Sequence, residues 1–142
     1  LKGSVFISVK KGDKEPVLPV ARALVELGFK IIATEGTEAF LKKNGIEAEF
    51  VYKVNEGRPN IVDRMKSSDV DMVINTSFGA KSVADSYSIR RTSIEQGLPY
   101  STTVAGAKAA VLGIKAVLSG GLYVKTLQEY HQELKTGKPR TV

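Results

Sequence analysis

Hydroxyls, lysines and glycines recur together in short clusters along this chain, and that combination has the chemistry to hold a small anion. Ser8, Thr34, Thr37 and Ser77 carry hydroxyls; Lys14 and Lys53 carry ammonium groups; Gly12, Gly36, Gly57 and Gly79 stand close by. Backbone N–H groups at a helix start and side-chain hydroxyls donate to phosphate oxygens. Lysine adds a full charge, and glycine lets the backbone approach the anion. The chemistry implied is a phosphate cradle. Taken singly, each residue has a plainer reading. Thr37 is a helix N-cap, Lys14 a solvated lysine, Ser8 a strand-end hydroxyl, and Asn75 a strand terminator that bonds its own backbone. Lys53 and Arg58 keep a loop soluble. What favours a site is where the elements place these residues jointly.

The chain alternates strands and helices. Ser4–Val9 reads as a buried strand. Asp13 is a candidate cap for a helix with Val17, Val20, Ala21, Leu24 and Leu27 at helical spacing, ended by Gly28. Lys30–Thr34 is the next strand, and a short helix from Gly36-Thr37 through Leu41 stops at Asn44-Gly45. Ala48–Tyr52 is a third strand, Lys53–Asn60 a polar loop, Ile61–Lys66 a short helix and Asp71–Asn75 a fourth strand. Asp85 is the expected cap of a helix reaching Gln96, stopped by Gly97. Pro99–Ser101 is a short fifth strand and Val104–Leu118 an alanine-rich helix. Thr126 and Glu129 have capping-box spacing for a last helix through Leu134. This alternation predicts an α/β fold, a doubly wound, mostly parallel five-stranded sheet with helices on both faces. One domain over residues 1–135 and a polar tail over 136–142 are expected. In such sheets the ligand crevice lies beyond the carboxyl ends of the strands. The clusters above follow those ends, with Thr102 and Thr103 after the fifth.

Composition narrows the field. The 142 residues suit one ordinary domain with its own core. A content of 42% hydrophobic and 25% charged residues fits a globular chain. No apolar run approaches the about 20 residues of a membrane span, and no signal-peptide core follows the basic start. Leu1 opens the chain, as in a processed product or a piece of something longer. Without cysteine there are no disulfides, thiolate zinc sites or cysteine nucleophiles, and the lone His131 builds no histidine metal site. A cytoplasmic location is expected. The net charge of +6 fits nucleic acid or small anions. With 7% aromatics, no tryptophan and dispersed basic residues, small anions are favoured and no nucleic-acid partner is expected. Arg90-Arg91 reads as a solvated helix face or an interface contact. No Walker lysine motif or dinucleotide fingerprint is present.

Six segments carry a resemblance. They are Ser8-Val-Lys-Lys-Gly-Asp-Lys14, Ala33-Thr-Glu-Gly-Thr37, Lys53-Val-Asn-Glu-Gly-Arg-Pro59, Ile74-Asn-Thr-Ser77, Asp85-Ser-Tyr-Ser-Ile-Arg-Arg91 and Tyr100-Ser-Thr-Thr103. The Gly-Thr turn is widely shared; the Lys53 and Asp85 segments are far more specific. In this order they resemble the C-terminal regulatory domain of the carbamoyl-phosphate synthetase large subunit, within the methylglyoxal-synthase-like superfamily. The resemblance implies a domain with no catalytic residue and no cofactor of its own, in a parent enzyme that uses ATP and Mg2+ and a glutaminase small subunit. It implies UMP, IMP and ornithine as effectors. By motif position, Ser8, Lys14, Thr34, Thr37 and Lys53 would hold the effector phosphate, and Asn75 and Ser77 would face ribose or base. Tyr100, Thr102 and Arg90 would serve the ornithine response and the docking interface. Ser77 stands where threonine is common, and Ser101 where some members carry an acid.

The alternative is a stand-alone methylglyoxal-synthase-like enzyme. That reaction needs a carboxylate base beside the substrate phosphate. The enzyme's Gly-Gly-Asp motif is absent from the loop Glu56-Gly-Arg-Pro-Asn60, where Glu56 is the nearest acid.

Overall fold

The computed structural model describes residues 3–76 and 80–119, with the backbone alone for 80–85. Five strands form one parallel sheet in the order β3-β2-β1-β4-β5. They are β1 (Gly3–Ser8), β2 (Phe29–Ala33), β3 (Glu49–Phe50), β4 (Met72–Asn75) and β5 (Tyr100–Ser101). Between and after them lie α1 (Lys14–Glu26), α2 (Glu35–Lys43), α3 (Ile61–Lys66), α4 (Ala80–Gln96) and α5 (Val104–Leu118). This is the α/β architecture expected.

The strands are apolar on both faces because both faces are covered. Phe6, Ile32 and Val73 share one face by register and cluster with Ile61 and Met65 of α3 and Ile89 of α4. Val5, Ile7, Ile31, Ala33 and Ile74 alternate to the other face and are equally buried. There α1, with its buried stripe Val17, Val20, Ala21 and Leu24, packs on β2. Each such fully buried large side chain contributes about 1.5–3 kcal/mol of transfer free energy.

Helix ends follow backbone chemistry. Gly28, Gly45 and Gly97 end α1, α2 and α4 at φ 94°, 78° and 66°. Only glycine enters that region without steric cost. Three expectations are corrected. Asp13 makes no side-chain cap to α1; a short 3-10 turn over Lys11–Asp13 leads into the helix, and the Asp13 carboxylate lies 3.9 Å from Lys10 Nζ. Asp85 lies within α4 rather than at its start, since the helix begins at Ala80. The third strand is confined to Glu49–Phe50, with an isolated parallel bridge from Tyr52 to Asn60 beyond it. The ranges expected for α3 and α5 coincide with those observed.

Two compact units are distinguished, Leu1–Lys108 and Ala109–Val142. The second is described only as far as residue 119, where it consists of the rest of α5 and Ser119. The expected last helix, its Thr126–Glu129 capping box, His131 and the tail from Thr136 lie outside the described residues.

Candidate functional site

The parallel sheet carries the carboxyl ends of β1, β2 and β4 to one rim, and the hydroxyl residues meet there. Ser8, the last residue of β1, sits in register with Asn75, the last of β4. Its Oγ lies 3.1 Å from Thr34 Oγ1, just past the end of β2. Thr37 Oγ1 accepts the Val9 N–H at 3.2 Å, and Thr76 Oγ1 accepts the Lys10 N–H at 3.2 Å. Ser8, Thr34, Thr37, Asn75 and Thr76 are all buried. That is an unusual density of polar side chains for a sheet end.

Thr34 occupies the N-cap of α2 in extended conformation, yet its side chain makes no capping hydrogen bond and turns to Ser8 instead. The amino end of α2 is therefore left without a side-chain cap. Such an end presents unpaired N–H groups and a partial positive charge. Thr37 is no N-cap; it lies in the first turn and ties α2 to the chain leaving β1. Lys14, half-buried at the start of α1, brings its Nζ to 3.4 Å from where a Cβ on Gly36 would stand. Lys14 makes no ion pair among the described residues. A full positive charge and a helix amino end thus face the same small region, an arrangement that an anion stabilises.

Lys53 is exposed in the loop after Tyr52, its Nζ 3.9 Å from Glu56 Oε1, and no hydrogen bond joins it to Ser8, Thr34 or Thr37. That loop is anchored at its far end by Asn60. Its side chain accepts the Asp63 N–H at 3.1 Å and donates to the Val54 carbonyl at 3.2 Å, while Asp63 accepts the Asn60 N–H at 2.9 Å. The Asn60 N–H, followed by the Arg58 guanidinium, holds the Asp63 carboxyl below the usual carboxylate range.

On the other side of the rim, Asn75 Nδ2 donates to Tyr100 Oη at 3.1 Å and to Ser86 Oγ at 3.3 Å. The Arg90 guanidinium carbon lies 5.9 Å from the centre of the Tyr100 ring. Thr102 is exposed beyond β5, and Thr103 caps α5 by accepting the Gly106 N–H at 3.0 Å. Ser77 lies outside the described residues. Among those described, no cluster of three or more His, Asp or Glu could hold a metal, and no helix is long and apolar enough to cross a membrane.

Residues 16–102, from the first turn of α1 to just past β5, match the family model of the MGS-like domain. The chain belongs to the MGS-like domain family. Ser8 and Lys14 lie just ahead of the matched span; the rest of the rim lies within it. The MGS-like domain is 50% identical over 134 residues to the carbamoyl phosphate synthase large chain of Archaeoglobus fulgidus, covering 94% of this chain and 12% of that one. It is 48% identical over 133 residues to the large chain of Xanthomonas axonopodis pv. citri, with 94% and 12% covered. The corresponding protein of Rhizobium meliloti is 49% identical over 130 residues, with 92% and 11% covered. The chain therefore spans only about an eighth of the length of these curated relatives. The crystal structure of ForH aligns at TM-score 0.58 and 18% identity over 86% of this chain and 83% of that one, a likeness of fold alone.

Within the MGS-like domain, the expected phosphate residues Ser8, Thr34 and Thr37 come together, with Lys14 over the start of α2. Lys53 is not bonded to them. Sequence reading did not single out Ser86 or the Asn60–Asp63 capping box. The Asn-x-x-Asp spacing that brackets Ile61-Val62 was a legible signal for the capping box, whereas Ser86, though inside the Asp85–Arg91 segment, carries no local mark of its bond to Asn75.

Proposed function

We propose that this MGS-like domain is the effector-binding part of a carbamoyl phosphate synthase large chain and takes a nucleoside monophosphate, UMP or IMP, by its phosphate. The observation that carries the reading is the uncapped amino end of α2, with the half-buried Lys14 above it and the Ser8–Thr34 hydroxyl pair beside it. The identity of 48% and 50% to large chains of that synthase supports the placement in the larger enzyme. Lys53 would close on the phosphate from its loop, and Asn75 and Ser77 would meet the ribose or base. Tyr100–Thr103 and Arg90 would lie toward an ornithine site and toward the remainder of the large chain. The ATP- and Mg2+-dependent ligation, and the glutaminase partner, belong to that remainder. An effector here would act by coupling. It shifts the enzyme only as far as it binds two docked states with different affinity, typically about 1–3 kcal/mol.

Calorimetric titration of the chain with UMP, uridine and inorganic phosphate tests the reading. UMP should bind and uridine should bind poorly. Lys14→Ala should weaken UMP roughly ten- to a hundredfold, the loss of one charged partner of about 1.5–3 kcal/mol. Equal affinity for uridine and UMP would sink the phosphate-led reading.

A further inference from the structure

Asn75 is 5% exposed and ends β4 beside the cradle, its Cα in register with that of Ser8. The two residues are therefore about one strand spacing apart. The cradle itself lies on the β1, β2 and α2 side. Asn75 faces the rim from the β4 side, where the part of a ligand beyond its phosphate would extend. A carboxamide has a broad, roughly two-fold terminal torsion, so nothing intrinsic to Asn75 fixes the plane of its amide. Two hydroxyls from different elements help to hold it: Tyr100 Oη from β5 at 3.1 Å and Ser86 Oγ from α4 at 3.3 Å, both accepting from Nδ2.

Tyr100 is in turn held from outside. Its backbone is paired to β4 opposite Val73, and the Arg90 guanidinium carbon lies 5.9 Å from its ring centre. That separation is within cation–π range. Arg90 is exposed on α4. A continuous set of contacts thus runs from the protein surface at Arg90, through the Tyr100 ring and hydroxyl, to the amide of Asn75 at the rim.

We infer that Tyr100 is a positioning residue for the effector site. Acting through Asn75, it sets which nucleoside monophosphate the rim prefers, and the state of Arg90 at the surface adjusts that preference. The inference rests on the effector reading above. It goes beyond that reading by assigning the choice between ligands with the same phosphate to β5 and α4 rather than to the cradle. An amide turned by a missing hydroxyl presents its oxygen and nitrogen differently to a base or ribose, whereas a phosphate held by α2 is less affected.

The test uses the full 142-residue chain with inorganic phosphate, UMP and IMP as probes. Tyr100→Phe keeps the ring and its contact with Arg90 and removes only the hydroxyl. The ratio of UMP to inorganic phosphate affinity should fall about three- to tenfold, the scale of one neutral hydrogen bond, and the UMP to IMP ratio should move as well. In the unliganded chain, the side-chain amide resonances of Asn75 should shift in a 1H–15N spectrum. Arg90→Ala should move both readouts the same way by less, and Arg90→Lys should restore part of the change. If the parent chain binds UMP and Tyr100→Phe leaves both the affinity ratios and the Asn75 resonances unmoved, this inference is wrong and the effector reading stands. If the parent chain binds neither phosphate nor UMP, the effector reading fails and takes this inference with it.

Discussion

Replacing Thr37 with valine tests the cradle through its scaffolding. The side chain is 3% exposed and its Oγ1 accepts the N–H of Val9, itself only 5% exposed. Valine has nearly the same shape, so no cavity opens; what is lost is the acceptor. A buried N–H left without a partner costs about 1–3 kcal/mol, and the methyl group that replaces the hydroxyl returns about 0.8 kcal/mol of burial. The net expectation is a destabilisation of about 0.2–2 kcal/mol. For a chain of this length that corresponds to a fall in Tm of up to roughly 8 °C. Urea denaturation followed by far-ultraviolet circular dichroism should show a lower midpoint with an unchanged slope. Thr37→Ser, which keeps the oxygen, should retain more of the stability. UMP binding should follow the same order, because an oxygen that accepts from Val9 still has its own proton to donate to a phosphate. A Thr37→Val midpoint equal to that of the parent would refute the claim that this hydroxyl ties α2 to the end of β1.

Two further outcomes are expected. Gly36→Ala should raise stability by up to about 1 kcal/mol, since alanine suits a helix better than glycine does. Its Cβ would meet Lys14 Nζ at an ordinary 3.4 Å. The same methyl group should lower affinity for inorganic phosphate by crowding the anion, and a variant that gained both stability and affinity would exclude α2 as the phosphate seat. Asp63 has a depressed pKa. Its contribution is therefore present above the ordinary unfolded value, about 4, and is lost as pH falls through the lower folded value. The gap in urea midpoint between parent and Asp63→Asn should be open at pH 7 and close below about pH 4; a gap constant with pH would show that the carboxylate charge plays no part.

The order of elements and the rim were legible in the sequence because local signals and tertiary structure agree there. Apolar runs bounded by glycine set β1, β2 and α1, and the hydroxyls of Ser8 and Thr34 fall at strand ends by chain order alone. Agreement failed where a local signal was outweighed. Asp85 is a good cap residue, but Ala80–Ala84 can itself be helical, and α4 extends through Asp85 from Ala80. Ala48–Tyr52 has strand composition, yet pairing needs a partner, and β2 offers β3 only Ile32 and Ala33. The link from Asn75 to Tyr100 spans 25 residues and that to Ser86 spans 11; all three residues lie in segments that carry the resemblance, but no local pattern marks the hydrogen bonds between them, so only the fold discloses the link.

Both outermost strands, β3 and β5, are only two residues long. A long exposed border on a parallel sheet is a template on which another polypeptide can add a strand, and that is a common route to aggregation. Here each border is too brief to register such a partner, and on one of them Glu49 is engaged by Arg64 at 3.2 Å. Among the described residues, the sheet therefore offers little border for growth on either side without being closed into a barrel. A larger body that met the described residues would do so mainly through the outward surfaces of their helices and loops. Any influence of such a body on the rim would then pass through side chains rather than through a shared backbone ladder.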